Sequence, residues 1–429
     1  MKIQENISLK DFNTFKIDCI ARYFFVVKNI EDLLFIINFI KNKSLNIENN
    51  KLELEQKKEN NIFRYIFLGS GSNILFNTTK DNNIFDGLII KNEINFLNIL
   101  ENKKEEVELK KDEVFLEVGS GYEWDSFVKY CCEYGYYGLE NLSHIPGTVG
   151  AAPVQNIGAY GAEVSDYITE VKCIDILESI RYNKIIEKVF TNLECKFAYR
   201  DSIFKKINNK NKESKYENKN KKEHRDVNQE LFISSVTFRL SKIKKLNLEY
   251  KDMQNYILEN YIKGNLENGF ESKNLTLLQV RDIMINIRNR KMPNWRDKNS
   301  LGTAGSFFKN IIISEGEYEK LLSKDFENKI EEELYKNIPA YKTEVKENKT
   351  ENKENLKIYY KLSSGYIIDK ILGMKNMREG DAGTFENQAL IIVNYARATG
   401  EEVFNFSEKI IQKCFEVTGL TLEREVNII

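Results

Sequence analysis

The stretch GLENLSHIPGTVGAAPVQNIGAYG, residues 138–161, differs most from the rest of this chain. It holds Pro146 and Pro153, two of the four prolines, and Glu140 is its only charged residue. Glycine beside small residues lets backbone approach a ligand closely, and its amide groups can face phosphate or ring heteroatoms. Because glycine marks tight turns more often than ligand sites, the stretch taken alone also fits a buried run of turns.

The composition excludes several classes of protein. A length of 429 residues predicts two to three domains, and the net charge of −1 gives no basic field for nucleic acid. The six cysteines contain no C-x-x-C spacing, which argues against a disulfide framework or a zinc site. With two histidines, His144 and His224, we expect no metal centre. Chemistry must then use Ser, Tyr, Lys, Glu or a cofactor.

The apolar segments are too short for a membrane protein. The first residues, MKIQEN, lack the apolar core of a signal peptide, and no apolar run approaches the roughly 20 residues that span a bilayer. We therefore expect a cytoplasmic protein that binds no membrane.

The periodicity predicts mixed α and β structure. Residues 65–68 form a predicted strand that leads into GSGSN, residues 69–73, where backbone amides can form an anion-binding nest. Thr276 and Gln279 fit a capping box before a helix that ends near Pro293. A second helix is predicted from Thr399 to Thr418, with the following residues inward: Ile410, Ile411, Cys414 and Phe415.

Four runs rich in Lys, Asn and Glu interrupt these patterns. Residues 41–60, 101–112, 205–227 and 341–356 are interpreted as surface loop expansions, and 205–227 as disordered. Loops of this kind are tolerated because each doubling of loop length costs only about 0.6 kcal/mol.

Five motifs in a fixed order resemble one family. They are NTF from Asn13, LGSGSNIL from Leu68, the 138–161 stretch, YRDS from Tyr199 and GTAGSFFKN from Gly302. Together they closely resemble the UDP-N-acetylenolpyruvoylglucosamine reductases, flavoproteins of peptidoglycan precursor synthesis. The resemblance runs from about residue 10 to the end of the chain, apart from the charged runs.

The resemblance implies an α+β fold, with a two-lobed FAD-binding part of the vanillyl-alcohol oxidase type and an α+β substrate-binding domain. The implied divisions are residues 1–90 and 91–295 for the lobes and 296–429 for the substrate domain and tail. The second lobe would carry the charged insertion and a loop bearing Tyr250, which marks one branch of the family. The implied FAD-binding residues are Ser70, Gly71, Ser72, Asn73, Ile145, Pro146, Gly147, Thr148, Gly150, Gln155, Asn156, Gly158 and Ala159.

The family's catalytic set matches three residues here. Ser306 is the implied proton donor, and Arg200 with Glu425 would stabilise the enolate-like species that forms after hydride transfer. Each has a simpler interpretation alone. Ser306 fits a turn serine, and Arg200 or Glu425 fits a surface ion pair worth at most about 1 kcal/mol.

The resemblance also implies substrates and partners. FAD and NADPH are the implied cofactors, and UDP-N-acetylglucosamine enolpyruvate is the implied substrate. The implied substrate-binding residues are Tyr199, Tyr250, Lys291, Asn310 and Gln388. We expect a monomer that acts on small molecules and binds no nucleic acid.

The chain departs from the family pattern at His144, where a glycine is usual, and at Arg424, where a proline is common. His144 keeps one alternative open, a flavin-dependent alcohol oxidase of the same fold, because such enzymes often attach flavin covalently through His or Cys. A second alternative is a flavin- or nucleotide-binding module that has lost its chemistry.

Overall fold

The computed structural model describes residues 2–51, 62–100, 112–207, 230–262, 274–346 and 356–429. The chain forms two compact units. The first unit comprises Met1–Leu9, Cys19–Gly71 and Ile84–Asn289, and the second comprises Lys10–Asp18, Ser72–Asn83 and Arg290–Ile429. Both units contain helices and strands, which confirms the predicted α+β class.

Twenty strands lie in the described ranges. They are β1 (Gln4–Ser8), β2 (Ile20–Val27), β3 (Tyr65–Leu68), β4 (Ile74–Leu75), β5 (Ile84–Asn92), β6 (Leu97–Ile99), β7 (Glu113–Gly119), β8 (Gly158–Ala159), β9 (Ala162–Glu163), β10 (Ile168–Asp175), β11 (Glu187–Thr191), β12 (Leu231–Ser241), β13 (Gly302–Ser306), β14 (Ile311–Ser314), β15 (Ala340–Lys346), β16 (Leu356–Leu362), β17 (Arg378–Glu379), β18 (Ala382–Thr384), β19 (Ile391–Asn394) and β20 (Asn427–Ile428).

The same ranges contain ten α-helices. They are α1 (Ile30–Lys51), α2 (Trp124–Glu133), α3 (Ile176–Tyr182), α4 (Ile203–Ile207), α5 (Lys251–Ile257), α6 (Leu277–Lys291), α7 (Glu315–Leu322), α8 (Lys329–Lys336), α9 (Ser364–Tyr366) and α10 (Gly400–Thr418). Within the described ranges, no helix combines the length and the apolar character that a membrane crossing needs.

The first unit is built on two sheets. One has the order β1-β2-β5-β3, in which β2, β5 and β3 run parallel, and α1 packs on it. The other is the antiparallel sheet β11-β10-β12-β7-β6, whose central strand β12 is buried along most of its length. Helix α2 covers this second sheet through Trp124 and Phe127, which contact Phe238 of β12. Strand β3 leads into the loop that begins at Gly69, and strand β7 leads into the turn at Ser120.

The second unit contains the sheets β13-β19-β18-β17 and β14-β16-β15 and the parallel pair β4–β20. Helix α10 begins with a capping box between Thr399 and Glu402 and ends at Gly419, which has φ +74°. The predicted helix and its end are confirmed. Phe415 is an exception, because it is 60% exposed while Cys414 is buried. One residue step rotates a side chain by about 100°, which carries Phe415 off the inward face.

Three of the predicted loop expansions are partly wrong. Residues 205–207, the start of the 205–227 run, lie in α4. Helix α1 continues to Lys51, because Lys, Glu and Asn are compatible with a helix that its apolar first half already fixes. Strand β15 occupies part of the 341–356 run and pairs with β16, so sheet pairing overrides the composition. The remaining predictions for residues 52–60, 101–111, 208–227 and 347–355 lie outside the described residues.

Candidate functional site

The glycine-rich loop after β3 touches the 138–161 stretch inside the first unit. A Cβ atom at Gly69 would lie 2.7 Å from the Thr148 hydroxyl oxygen, so a larger residue there would displace the Thr148 side chain. Gly71 has φ +62°, which is the left-handed conformation that an amide nest requires. The structure thus joins two of the predicted cofactor stretches at the carboxyl end of a parallel strand. Ser72 and Asn73, the end of the loop, belong to the second unit.

The 138–161 stretch is also fixed against the turn that follows β7. The N–H groups of Val149 and Gly150 donate to the carbonyls of Tyr122 and Ser120 at 2.9 and 2.8 Å. A Cβ atom at Gly150 would lie 2.6 Å from the Ser120 Cβ. Gly150 is therefore required for this close packing, whether or not it also contacts a ligand.

Arg200 binds the end of the same stretch. Its Nη2 donates to the Gly158 carbonyl at 2.5 Å, and its Nη1 lies 3.5 Å from the Asn156 carbonyl. The backbone of Arg200 is left-handed, with φ +52°. The side chain thus spans residues 156–158, part of the segment for which the resemblance predicts FAD binding.

The Asn156 side chain has a structural role. Its amide nitrogen donates to Glu163 at 2.8 Å and to the Ala198 carbonyl at 3.2 Å, and its amide oxygen accepts from the Ser165 N–H. With the side chain held in this way, any cofactor contact by Asn156 falls to its backbone.

A group of aromatic and basic side chains lies beside this segment. The Arg288 guanidinium lies over the Tyr160 ring, with its Cζ 5.1 Å from the ring centroid. Tyr160 in turn meets Tyr250 edge to face, with 5.1 Å between ring centroids. Tyr250 is 39% exposed and stands at the N-terminus of α5. The structure therefore places Tyr250, a predicted substrate residue, beside the predicted flavin stretch.

His144 is held by two groups. Its Nε2 lies 3.1 Å from Oδ1 of Asn289, and its Nδ1 lies 3.9 Å from a carboxylate oxygen of Asp125. The His144 N–H donates to Asp125 at 2.6 Å, and Arg281 donates to both oxygens of that carboxylate at 2.5 and 2.9 Å. Although burial raises the pKa of Asp125, the hydrogen bonds from His144 and Arg281 outweigh it and hold the pKa well below its usual range.

Ser306 ends strand β13 in the second unit. Gly305 before it has φ +74°, and no described atom lies within 4 Å of the place where a Cβ would stand. Phe307 and Phe308 after it are fully buried and fix the segment, and the Phe307 N–H donates to the Leu390 carbonyl at 2.9 Å. Ser306 therefore stands at the end of β13, between a glycine with free space on its Cβ side and two buried phenylalanines.

The C-terminal tail pairs with the Ser306 motif. The Glu425 N–H donates to the Phe307 carbonyl at 2.8 Å, and the Lys309 N–H donates to the Glu423 carbonyl at 2.9 Å. The Asn73 amide donates to the Glu425 carbonyl at 3.2 Å. Three segments that are far apart in sequence thus meet inside the second unit, and two predicted catalytic residues stand on adjacent backbones.

Arg424 does not form its ion pair with the neighbouring glutamate. Its Nη2 pairs with Glu408, its Nε donates to Ser407 at 2.9 Å, and its guanidinium lies over the Phe404 ring. The Arg424 side chain is therefore directed to α10, and Arg424 serves as an anchor for the tail at the position where the family often has proline.

Asn310 and Gln388 approach one turn in the second unit. The Ser364 N–H donates to the Asn310 amide oxygen at 3.2 Å. A Cβ atom at Gly365 would lie 3.2 Å from the Gln388 amide oxygen. Lys291 is the last residue of α6 and also belongs to the second unit, whereas Tyr199, Arg200 and Tyr250 belong to the first.

Sequence reasoning missed Arg288 and the Asp125–Arg281 pair. Both arginines stand on the apolar stripe of α6, among Val280, Met284 and Ile287. Arg281 is 7% exposed and Arg288 is 5% exposed. A charged residue at an apolar helix position was the available signal, because a buried charge needs a partner.

The residues fit an FAD group on structural grounds. The glycine-rich loop after β3 supplies a nest for a diphosphate and adjoins the 138–161 stretch. Within the described part of the chain, Nε and Nη2 of buried Arg288 and the buried amide oxygen of Asn141 have no hydrogen-bond partner. Buried polar groups of this kind suit a polar ligand on the same unit.

Family models support the same class. The FAD binding domain model matches residues 57–178, which contain both glycine-rich stretches. The chain is thus an FAD-binding protein. The model for the C-terminal domain of UDP-N-acetylenolpyruvoylglucosamine reductase matches residues 297–429.

Relatives identify the family. The UDP-N-acetylenolpyruvoylglucosamine reductase of Flavobacterium johnsoniae is 36% identical over 431 residues, which cover 100% of both chains. That of Porphyromonas gingivalis is 34% identical and covers 84% of this chain and 85% of its own. The chain belongs to the UDP-N-acetylenolpyruvoylglucosamine reductase family. The Thermus caldophilus enzyme shares the fold, with a TM-score of 0.52 at 18% identity over 100% of this chain and 99% of that one.

Proposed function

We propose that this protein reduces UDP-N-acetylglucosamine enolpyruvate to UDP-N-acetylmuramate with FAD and NADPH, in peptidoglycan precursor synthesis. Full-length similarity to the Flavobacterium johnsoniae reductase supports the proposal. The observation that carries it is the pairing of Glu425 with the backbone that follows Ser306. A surface serine and a tail glutamate without a common task would not need this shared strand geometry.

When bound, FAD supplies a hydride, taken from NADPH, to the terminal carbon of the enolpyruvyl group. Negative charge then develops on the neighbouring carbon and its carboxylate. Ser306 donates its hydroxyl proton to that carbon. A serine hydroxyl is a weak acid in water, but an enolate carbon is a strong base, so the transfer is feasible at a site that excludes water.

Arg200 would stabilise the developing negative charge on the carboxylate. A guanidinium can donate two parallel hydrogen bonds to a carboxylate, which gives orientation as well as energy. Its bonds to the carbonyls of Asn156 and Gly158 would hold it in place before the substrate binds. Glu425 would hydrogen-bond the reacting group in the same step. Such preorganised groups act most strongly where charge develops.

Cofactor and substrate contacts complete the proposal. The FAD diphosphate would lie on residues 70–73, and the ribityl chain and ring along residues 145–150 and 155–159. The UDP-sugar would be bound by Tyr199, Tyr250, Lys291, Asn310 and Gln388. We further propose that the chain works as a cytoplasmic monomer and divides into two cofactor lobes, residues 1–90 and 91–295, and a substrate domain, residues 296–429.

The proposed function is tested by NADPH oxidation. Purified protein loaded with FAD should consume NADPH steadily only when the enolpyruvyl substrate is present. Mass spectrometry should find a product two hydrogen atoms heavier than that substrate. NADPH oxidation that ignores the substrate, with only oxygen reduced, would refute the proposal and favour a module that has lost its chemistry.

Substitution of Ser306 by alanine should separate the two half-reactions. Flavin reduction by NADPH should continue, because Ser306 takes no part in it. Reoxidation by the substrate should slow by about 10²–10⁴-fold, the usual contribution of a general acid. The control is Ser323→Ala, an exposed turn serine of the same unit. Equal slowing of both half-reactions would contradict the role of Ser306.

The alcohol oxidase alternative depends on covalent flavin, and His144 was its candidate. Both ring nitrogens of His144 face protein groups, Asn289 and Asp125, and the ring is buried. This arrangement favours non-covalent FAD. Acid precipitation should therefore release all of the flavin into the supernatant, whereas yellow colour kept in the pellet would favour the oxidase.

A further inference from the structure

Arg288 is a buried cation with two nitrogen atoms that have no hydrogen-bond partner among the described residues. It stands near the C-terminal end of α6 and is 5% exposed. Its Nε and Nη2 atoms are both buried without a hydrogen-bond partner in the described part of the chain. An unsatisfied buried donor destabilises the fold, and more so when it belongs to a charged group. Two such donors on one guanidinium are a cost to the free protein that a bound acceptor group would remove.

No carboxylate of the described first unit compensates the Arg288 charge by direct contact. Asp125 influences it, but both oxygens of that carboxylate accept from Arg281. Arg200 adds a second positive charge in the neighbourhood. Burial lowers the pKa of Arg288, yet a guanidinium keeps its proton at neutral pH. The local charge of this cluster is therefore positive.

The orientation of Arg288 defines the ligand it can take. One face of the guanidinium lies over Tyr160. The two unpartnered atoms, Nε and Nη2, form one edge of the planar group and point their N–H bonds in nearly the same direction. Such an edge fits two acceptor atoms held side by side in one plane.

We infer that Arg288 is a binding residue for a planar anionic edge, and that this edge is the N1–C2=O side of the reduced flavin. The inference rests on the proposed function, because it assigns a residue within the same cofactor site. Tyr160 continues the segment 155–159 that is proposed to hold the flavin ring, which favours the flavin over the substrate carboxylate. The carboxylate offers the same pair of acceptors and is the second source.

The midpoint potential of the bound flavin tests, without turnover, whether the flavin is the ligand of Arg288. It is measured by dye equilibration on FAD-loaded protein in the absence of UDP-sugar. A cation at N1–C2=O favours the reduced flavin. Arg288→Met should therefore shift the two-electron equilibrium at least about tenfold toward oxidised flavin, a fall of about 30 mV. Arg288→Lys keeps the charge without the paired donors and should shift it less.

The dissociation constant of the substrate tests whether the substrate carboxylate is the ligand of Arg288 instead. It is measured from the change in the absorbance of the oxidised flavin as the enolpyruvyl substrate is added. If the carboxylate is the ligand, Arg288→Met should weaken binding about 10–100-fold and leave the potential unchanged, because charged hydrogen bonds contribute about 1.5–3 kcal/mol.

The matched control is Arg281→Lys. Arg281 is an equally buried arginine of α6, but Asp125 binds it, so the substitution should lower stability and change neither readout. If both Arg288 variants fold, bind FAD and match the wild type in potential and in substrate affinity, the inference is overturned. A potential shift in a protein that shows no turnover with the enolpyruvyl substrate would support the inference and refute the proposed function.

Discussion

Helix α6 carries two buried arginines, seven residues apart, with opposite surroundings. Arg281 donates two hydrogen bonds to Asp125, which also accepts from the backbone of His144. Arg288 has an aromatic ring on one face, a second arginine nearby and two donor atoms without a described partner. The same residue type on the same apolar stripe thus occupies two kinds of site. We call the Arg281–Asp125 pair the closed site, because its hydrogen bonds are made within the protein, and the surroundings of Arg288 the open site.

The two arginines should affect different properties of the protein: Arg281 the stability of the fold, and Arg288 the binding of a ligand. A buried ion pair has already been compensated within the fold, so breaking it leaves a buried charge and destabilises the protein. A buried cation without a partner is a cost to the free protein, which a ligand can remove. Arg281 should therefore be judged by unfolding, and Arg288 by what the protein binds.

The largest expected effect is on stability at the closed site. Replacing Arg281 with methionine should lower the free energy of unfolding by about 3–5 kcal/mol, because the Asp125 carboxylate stays buried without its partner. Urea unfolding followed by circular dichroism measures the change. In the double variant Arg281→Met with Asp125→Leu, much of the loss should return. If Arg281→Met alone were neutral, the two arginines would not differ as described.

Replacement of Arg288 should change the free energy of unfolding in the opposite direction. Replacing Arg288 with methionine in FAD-free protein should raise the free energy of unfolding by about 1–3 kcal/mol, since two unsatisfied donors disappear. Adding FAD should reverse the order, so that the wild type gains more from the cofactor than the variant. A loss of stability in the FAD-free variant would show that Arg288 already has a partner in the fold.

A smaller effect is expected at His144, which joins the closed site to Asn289. The His144 backbone has φ +61°, a conformation that costs a side chain about 1–2 kcal/mol relative to glycine. His144→Gly relieves this strain while losing the ring, so its stability should stay within about 1 kcal/mol of the wild type. His144→Ala keeps the strain and should be less stable than His144→Gly. The reverse order, measured by thermal unfolding, would contradict this account.

The smallest effect concerns mild acid. The pKa of Asp125 lies far below the value near 3.9 that an unfolded chain has, because of its bonds to His144 and Arg281. Its contribution to stability is fully present above about pH 4 and is lost only as pH falls toward the lowered pKa. The stability difference between wild type and Asp125→Asn should therefore stay constant from pH 7 to pH 5. Below about pH 4 the difference should shrink as the pH falls toward the lowered pKa, and a difference that stays constant through this acid range would mean that the carboxylate titrates normally.

Much of the fold followed from the sequence where local signals were strong. The capping box at Thr276 and the glycine end at Gly419 both appear in the structure. The charged composition of the 341–346 segment gave no sign of strand β15, because its pairing partner β16 decides that structure. Composition alone therefore failed where a long-range contact fixes the backbone.

The candidate site was likewise predictable only where the signal lies in a continuous stretch of sequence. The ordered motifs around Ser306 and Arg200 are long enough to identify a family. The pairing of Glu425 with Phe307 joins residues more than a hundred positions apart, which no local pattern contains. Arg288 stands at an apolar position of α6, which is a sequence signal for burial, but sequence periodicity does not show what lies opposite the side chain.

Stopped-flow absorbance of the two half-reactions tests the central claim most directly. NADPH should first bleach the flavin band in the absence of substrate. Addition of the enolpyruvyl substrate without oxygen should then restore the band, with one UDP-N-acetylmuramate formed for each flavin. If the reduced flavin is not reoxidised by this substrate under anaerobic conditions, the protein is not the reductase proposed here.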